Sequence, residues 1–75
     1  MSKNTLSIFV KSRRKLLGLT QVDLALKSGV GLRFVRDLEQ GKSSLRLDKI
    51  NQVLYLFGHM MSPVDIGGIE YDEES

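Results

Sequence analysis

Apolar residues recur at helical spacing along the first stretch of the chain. Leu6, Phe9, Val10 and Leu17 are interleaved with Lys11, Arg13, Arg14 and Lys15, which predicts an amphipathic helix stopped by Gly18. Thr20 then offers a hydroxyl cap, and Asp23 three residues on completes a T-x-x-D pattern like that of a capping box. A second helix is predicted over about 20–28, TQVDLALKS, with Val22, Leu24, Ala25 and Leu26 as its apolar positions. Gly29 can take the left-handed conformation of a tight turn without a Cβ penalty. A third helix is expected over about 31–40, with Val35 and Leu38 on its core side and Gly41 at its end. The polar loop GKSS leads to the clearest stripe in the chain, Leu47, Ile50, Val53, Leu54 and Phe57, ended by Gly58.

After Gly58 the helical period disappears. HMMSPVDIGGIEYD holds one proline and two adjacent glycines. Residues 59–64 read as a short edge strand, since Pro63 bars them from a sheet centre, and EYDEES reads as a disordered end. The expected organisation is a helical domain over 1–58, a dimerisation strand within 59–66 and a flexible acidic tail over 67–75. No internal repeat is visible.

Size and charge sharpen this picture. Seventy-five residues make one domain with a small core. With no cysteine, neither a disulfide nor a thiolate zinc site can add stability, whereas a second copy of the chain can. No apolar run approaches a membrane span or a secretory signal, so the expected setting is the bacterial cytoplasm. The net charge is only +2, but it is unevenly spread. Residues 1–61 hold all 11 Lys and Arg against four acids, a net +7, while residues 62–75 hold five acids and no base, a net −5. A basic body with an acidic tail suggests a polyanionic partner for the body. Enzyme chemistry is not expected. The single histidine, His59, has no cysteine or clustered carboxylate beside it for metal or acid–base work. Gly67-Gly68 lacks the spacing and lysine of a phosphate loop. No metal and no cofactor are implied.

Two short helices joined at a tight turn and flanked by one helix on each side outline a helix-turn-helix DNA-binding unit. In such a unit the second helix of the pair enters the major groove by its first turns. Leu32, Arg33 and Arg36 occupy that place here. Arginine can present two parallel donors to guanine, and an apolar side chain such as Leu32 can pack on a thymine methyl. Contact with phosphates alone is the plainer reading for the two arginines. Asp37 could accept from a cytosine amine or pair with Arg33 or Arg36 on its own helix. Phe34 could cover the second helix or lie against sugars and methyl groups in the groove.

The stretch GLTQVDLALKSGVGLRFVRDLEQGKSS resembles the repressor-type (Cro/C1, or xenobiotic-response-element) helix-turn-helix family. The matching elements are Leu19-Thr20-Gln21, Leu24-Ala25, Gly29-Val30, Val35, Leu38 and Glu39-x-Gly41-Lys42. The resemblance spans about residues 5–58. It implies an all-α, lambda-repressor-like domain of four to five short helices, with a short C-terminal strand that could pair across a dimer. Within that family, GLRFVRDLEQGKSSLRLDKINQVLYLFG is similar to HipB-like antitoxins, the DNA-binding partners of HipA-type kinase toxins.

The resemblance also implies roles for particular residues. Gln21, with Thr20 beside it, matches the position that hydrogen-bonds a backbone phosphate near a helix N-terminus, where free N–H groups favour an anion. Lys42, Ser43, Ser44 and Arg46 match the loop that clamps phosphates. Glu39 matches an acid that pairs with a first-helix arginine, here Arg14, in a partly buried salt bridge. His59, Met60, Met61, Val64 and Ile66 fall where relatives pair their C-terminal strands across a two-fold axis.

The expected function is therefore a repressor binding an inverted-repeat operator in double-stranded DNA as a homodimer. The closest reading is the antitoxin of a HipA/HipB-like operon that represses its own promoter, with a HipA-type kinase toxin as partner. Two rivals remain from the residues: a stand-alone regulator, such as a phage or restriction–modification controller, and a helical protein-interaction module that has lost DNA binding. Some relatives carry a C-terminal tryptophan that meets the toxin; this chain has no tryptophan, and no toxin-contacting residue is assigned.

Overall fold

The computed structural model describes residues 4–66, so the acidic tail expected over 67–75 lies outside the described residues. Four helices follow in order: α1 (Thr5–Leu16), α2 (Gln21–Ser28), α3 (Leu32–Gln40) and α4 (Leu47–Leu56). Each begins or ends where local chemistry dictates. Asn4 caps α1, its Oδ1 accepting from Ser7 N at 2.8 Å while Ser7 Oγ accepts from Asn4 N at 2.9 Å. Arg13, Arg14 and Lys15 fill the last turn, where cations meet the negative end of the helix dipole.

Thr20 and Asp23 form the reciprocal cap of α2. Thr20 Oγ1 accepts from Asp23 N at 3.0 Å, and Asp23 Oδ2 accepts from Thr20 N at 2.9 Å. The hydrogen bonds from Thr20 hold the exposed Asp23 carboxyl below its ordinary range. Gly29 and Gly41 close α2 and α3 at φ of 80° and 85°. That is the left-handed region, where a side chain would be strained.

The core is built from Val10 of α1, Leu24 and Ala25 of α2, Val30 of the turn, Val35 and Leu38 of α3, and Ile50, Val53 and Leu54 of α4. Helix α3 packs on α1 and α2, and α2 also packs on α4. The turn between α2 and α3 is tied from the side. Gln52 of α4 donates through Nε2 to the carbonyl oxygens of Ser28 and Gly29 at 3.2 and 3.5 Å. This link ties the turn to α4.

Several apolar positions expected in the core lie outside it. Leu17, Val22, Leu26 and Leu47 are exposed. Helix α2 is only eight residues long and presents one stripe inward, Leu24, Ala25 and Ser28. Val22 and Leu26, one turn apart, share a different face. Arg13 lies over the Phe9 ring at 5.1 Å, and Phe57 meets the same ring edge-on at 6.3 Å.

Residues 59–66 carry no regular secondary structure, and no strand occurs among the described residues. The edge strand expected there is therefore not formed within the chain. A strand needs a neighbour to accept its ladder of hydrogen bonds, and the four helices offer none. Instead the segment folds back at its start. His59 meets Phe9 in a tilted ring contact with centroids 4.7 Å apart, and Met61 N donates to Asn51 Oδ1 at 2.7 Å. No helix among the described residues is long and apolar enough to cross a membrane.

Candidate nucleic-acid interface

Helix α3 sorts its side chains by helical spacing. Val35, Leu38 and Glu39 are buried. Arg33, Arg36, Asp37 and Gln40, at i, i+3, i+4 and i+7, make the other face. Arg33, Arg36 and Gln40 are exposed. The two arginines therefore project from the first turns of a helix whose opposite side is anchored to α1 and α2. Such a face can enter a groove without disturbing the core.

Leu32 and Phe34 belong to the flanks of this face. Both are half-buried and packed against the core cluster. Leu32 lies three residues before Val35, and Phe34 four before Leu38, so each continues the buried stripe on one side. Leu32 thus presents only part of its surface for contact with a thymine methyl. Phe34 covers the core between α3 and its neighbours.

Asp37 bridges two of the basic candidates. Arg33 Nε donates to its Oδ1 at 3.3 Å, and Lys42 Nζ lies 3.7 Å from its Oδ2. The Arg33 side chain is nonetheless 86% exposed, and an exposed pair of this kind contributes about 0.2–1 kcal/mol. A phosphate or a guanine edge can compete for that guanidinium at little cost. Asp37 itself is the most engaged of the four groove candidates, since a cytosine amine would compete with two cations for its oxygens.

The loop after α3 places Lys42, Ser43 and Ser44 in solvent, with Leu45 anchoring it to the core. Arg46 turns toward its own helix start. Its Nε and Nη2 donate to Asp48 at 3.1 and 2.7 Å, and that contact holds the Asp48 carboxyl below its ordinary range. Of the phosphate-facing candidates, Arg46 is thus bound to a neighbouring carboxylate, while Ser43 and Ser44 are exposed hydroxyls on the open loop.

At the other edge of the face, Gln21 is the first residue of α2 and half-buried. Its Nε2 donates to Glu39 Oε1 at 3.2 Å. Thr20 next to it uses its hydroxyl oxygen as the cap acceptor, and a hydroxyl retains one proton to donate.

Behind Gln21 lies the charged centre of the domain. Arg14 donates through Nε to Glu39 Oε2 at 2.6 Å, through Nη2 to Glu39 Oε1 at 3.0 Å, and through Nη1 to the Leu19 carbonyl at 2.9 Å. The side chains are 11% and 3% exposed. The fork-on-fork geometry is the strong form of an arginine–carboxylate pair. Hydrogen bonding to Glu39 raises the Arg14 guanidinium above its ordinary value, against the opposing effect of burial. The pair ties the end of α1, the link before α2 and the end of α3 into one unit.

Two positioning residues escaped the sequence reading. Gln52 is a polar residue within α4, and nothing in its neighbours marks it as the clamp on the α2–α3 turn. Asn51 holds the Met61 backbone in the same unannounced way.

Residues 10–57 match the family HTH_3, helix-turn-helix. Over 49 residues the chain is 47% identical to a protein of Sinorhizobium fredii (strain NBRC 101917 / NGR234) named as the uncharacterized HTH-type transcriptional regulator y4mF. The matched stretch is 65% of this chain and 64% of that relative, so the chain spans somewhat less than two thirds of the relative's length.

Proposed function

The chain belongs to the helix-turn-helix family, and from that premise we propose that it binds double-stranded DNA through α3 and regulates transcription as a repressor. The observation that carries this reading is the α3 face, with Arg33 and Arg36 exposed on a helix whose other side is buried in the core. The name of the Sinorhizobium relative supports the same class. Base reading falls to Arg33 and Arg36, with Leu32 at the flank and Asp37 as their counter-charge. Gln21, Thr20, Lys42, Ser43, Ser44 and Arg46 are the phosphate-facing group.

One recognition helix reads only a few base pairs. A symmetric pair of chains would set two such helices about 34 Å apart on an inverted repeat. Residues 59–66 supply the dimer contact in this reading, since Met60, Met61, Val64 and Ile66 are all exposed beyond the last helix. Pairing across the two-fold would also give the expected strand the ladder partner that a single chain lacks. Truncation after Gly58 would strip His59 from Phe9 as well, so the cleaner test places charge on the two most exposed positions, Val64 and Ile66.

Titrating the upstream region of its own gene at rising salt tests both points. The wild-type chain is expected to lose about 10³–10⁵ in affinity between 50 and 200 mM salt if it makes 6–10 phosphate contacts. The Val64→Asp/Ile66→Asp variant is expected to sediment as a monomer, with weak operator binding and an unchanged helical spectrum. Weak, salt-insensitive binding to every duplex would favour a protein-interaction module instead. A variant that stays dimeric would remove residues 59–66 from the interface.

The finer reading is that the regulator is the antitoxin of a HipA/HipB-like pair repressing its own operon. It is supported by the likeness of residues 31–58 to such antitoxins. Co-expression with the product of an adjoining kinase-like reading frame is expected to yield a stable complex and tighter promoter repression. A chain that represses equally well alone, with no such reading frame beside it, would be a stand-alone controller.

A further inference from the structure

The Gln21 amide and the Glu39 carboxylate make a contact that neither a salt bridge nor a helix cap requires. A glutamine amide has two N–H donors on its nitrogen and one acceptor oxygen, and an ionised carboxylate only accepts. With Nε2 of Gln21 donating to Glu39 Oε1 at 3.2 Å, the amide is held in one of its two orientations, nitrogen toward Glu39. The reverse orientation would set two oxygens against each other. The second N–H sits on the same nitrogen, at the first residue of α2, where the helix dipole already favours an anion.

We propose that Glu39 is a positioning residue for DNA binding: it holds one N–H of Gln21 so that the other is presented to a backbone phosphate. This deepens the DNA-binding reading of the α3 face and rests on it. Arg14 completes the arrangement. Its two-pronged contact keeps the carboxylate in place and compensates its charge, so a phosphate meets the amide donor and not an uncompensated anion behind it. The hydrogen bonds run from α1 through the end of α3 to the start of α2. Packing of the three helices thereby reaches the phosphate-facing side chain.

Two readouts on the full chain test this. The side-chain amide resonances of Gln21, identified by their absence from the spectrum of Gln21→Ala, are followed while the upstream duplex is added. One amide proton is expected to shift strongly and the other to stay close to its free position. Both protons shifting together would mean that Gln21 leaves Glu39 on binding, which overturns the proposal.

The second readout is a double-mutant cycle in affinity, measured well below each variant's unfolding midpoint. Gln21→Ala is expected to weaken binding about 10- to 150-fold, the loss typical of one hydrogen bond to a charged group. Glu39→Gln should weaken wild-type binding several-fold but the Gln21→Ala protein by less than twofold, because its effect passes through the missing amide. Equal losses in both backgrounds would make Glu39 a support of the fold alone. If Glu39→Gln does not fold, the resonance experiment decides. Failure of the wild-type chain to bind any duplex is a separate outcome that removes the DNA-binding reading itself.

Discussion

Glu39→Ala is expected to remove a large share of the protein's stability. Removing one partner of a buried ion pair costs about 3–5 kcal/mol, because the remaining charge is stranded without water or partner. Here the stranded group is the Arg14 guanidinium, 11% exposed and left with the Leu19 carbonyl out of three acceptor contacts. A domain of this length has about 4–11 kcal/mol of stability in all, at 0.05–0.15 kcal/mol per residue. The midpoint of thermal unfolding should therefore fall by about 12–40 °C, at 4–8 °C per kcal/mol.

A double replacement, Arg14→Met with Glu39→Leu, should recover most of that loss. Well-packed apolar residues of similar volume often match or exceed a buried ion pair in stability. Thermal melts of the three proteins decide the matter. A Glu39→Ala protein within about 0.5 kcal/mol of wild type, the range of ordinary surface changes, would show that the pair contributes nothing to the fold. The double variant would also lack the acceptor for Gln21, so recovered stability without recovered DNA affinity would separate the two roles of Glu39.

Arg33→Ala combined with Arg36→Ala should abolish specific DNA binding and leave the fold intact. Each bidentate arginine–guanine contact discriminates by about 1–3 kcal/mol, so each single change is expected to weaken operator binding about 5- to 150-fold. The two residues are one helical turn apart and share the neighbourhood of Asp37, so their effects are not expected to add simply. Both side chains are exposed, and stability should change by less than about 0.5 kcal/mol. The comparison that matters is the operator against a scrambled duplex. A large loss on the first and a small loss on the second identify base reading. Equal losses on both would make the arginines phosphate contacts. Wild-type affinity in the double variant would move the recognition surface off α3 altogether.

The helices and their limits were legible because their causes are local. The Thr20–Asp23 cap, Gly29, Gly41 and the stripe Ile50-Val53-Leu54 act within one or two turns, and the residues alone state them. The outward row of Arg33 and Arg36 follows from the same periodicity. The pairing of Arg14 with Glu39 was of another kind. The two residues stand 25 positions apart, and family likeness rather than any pattern in the chain brought them together on paper.

Other features had no local cause to read. Val22, Leu26 and Leu47 carry apolar side chains into solvent because their helices turn other faces inward. Leu32 is drawn partly into the core by its spacing from Val35. Gln52 reaches the α2–α3 turn across 24 positions, and Gln21 reaches Glu39 across 18.

The sequence by itself determined four helices, a tight turn before a helix that carries two arginines in its first turns, and the separation of a basic body from an acidic end. These depend on dihedral preference, capping and period, all of which act between near neighbours. Only the tertiary structure decided which polar groups meet: Arg14 with Glu39 and Leu19, Gln21 with Glu39, Asp37 with Arg33 and Lys42, and Gln52 with the turn. Packing sets those distances to within a hydrogen bond's reach, and apart from Arg33 with Asp37, four residues apart on one helix, no spacing along the chain contains them.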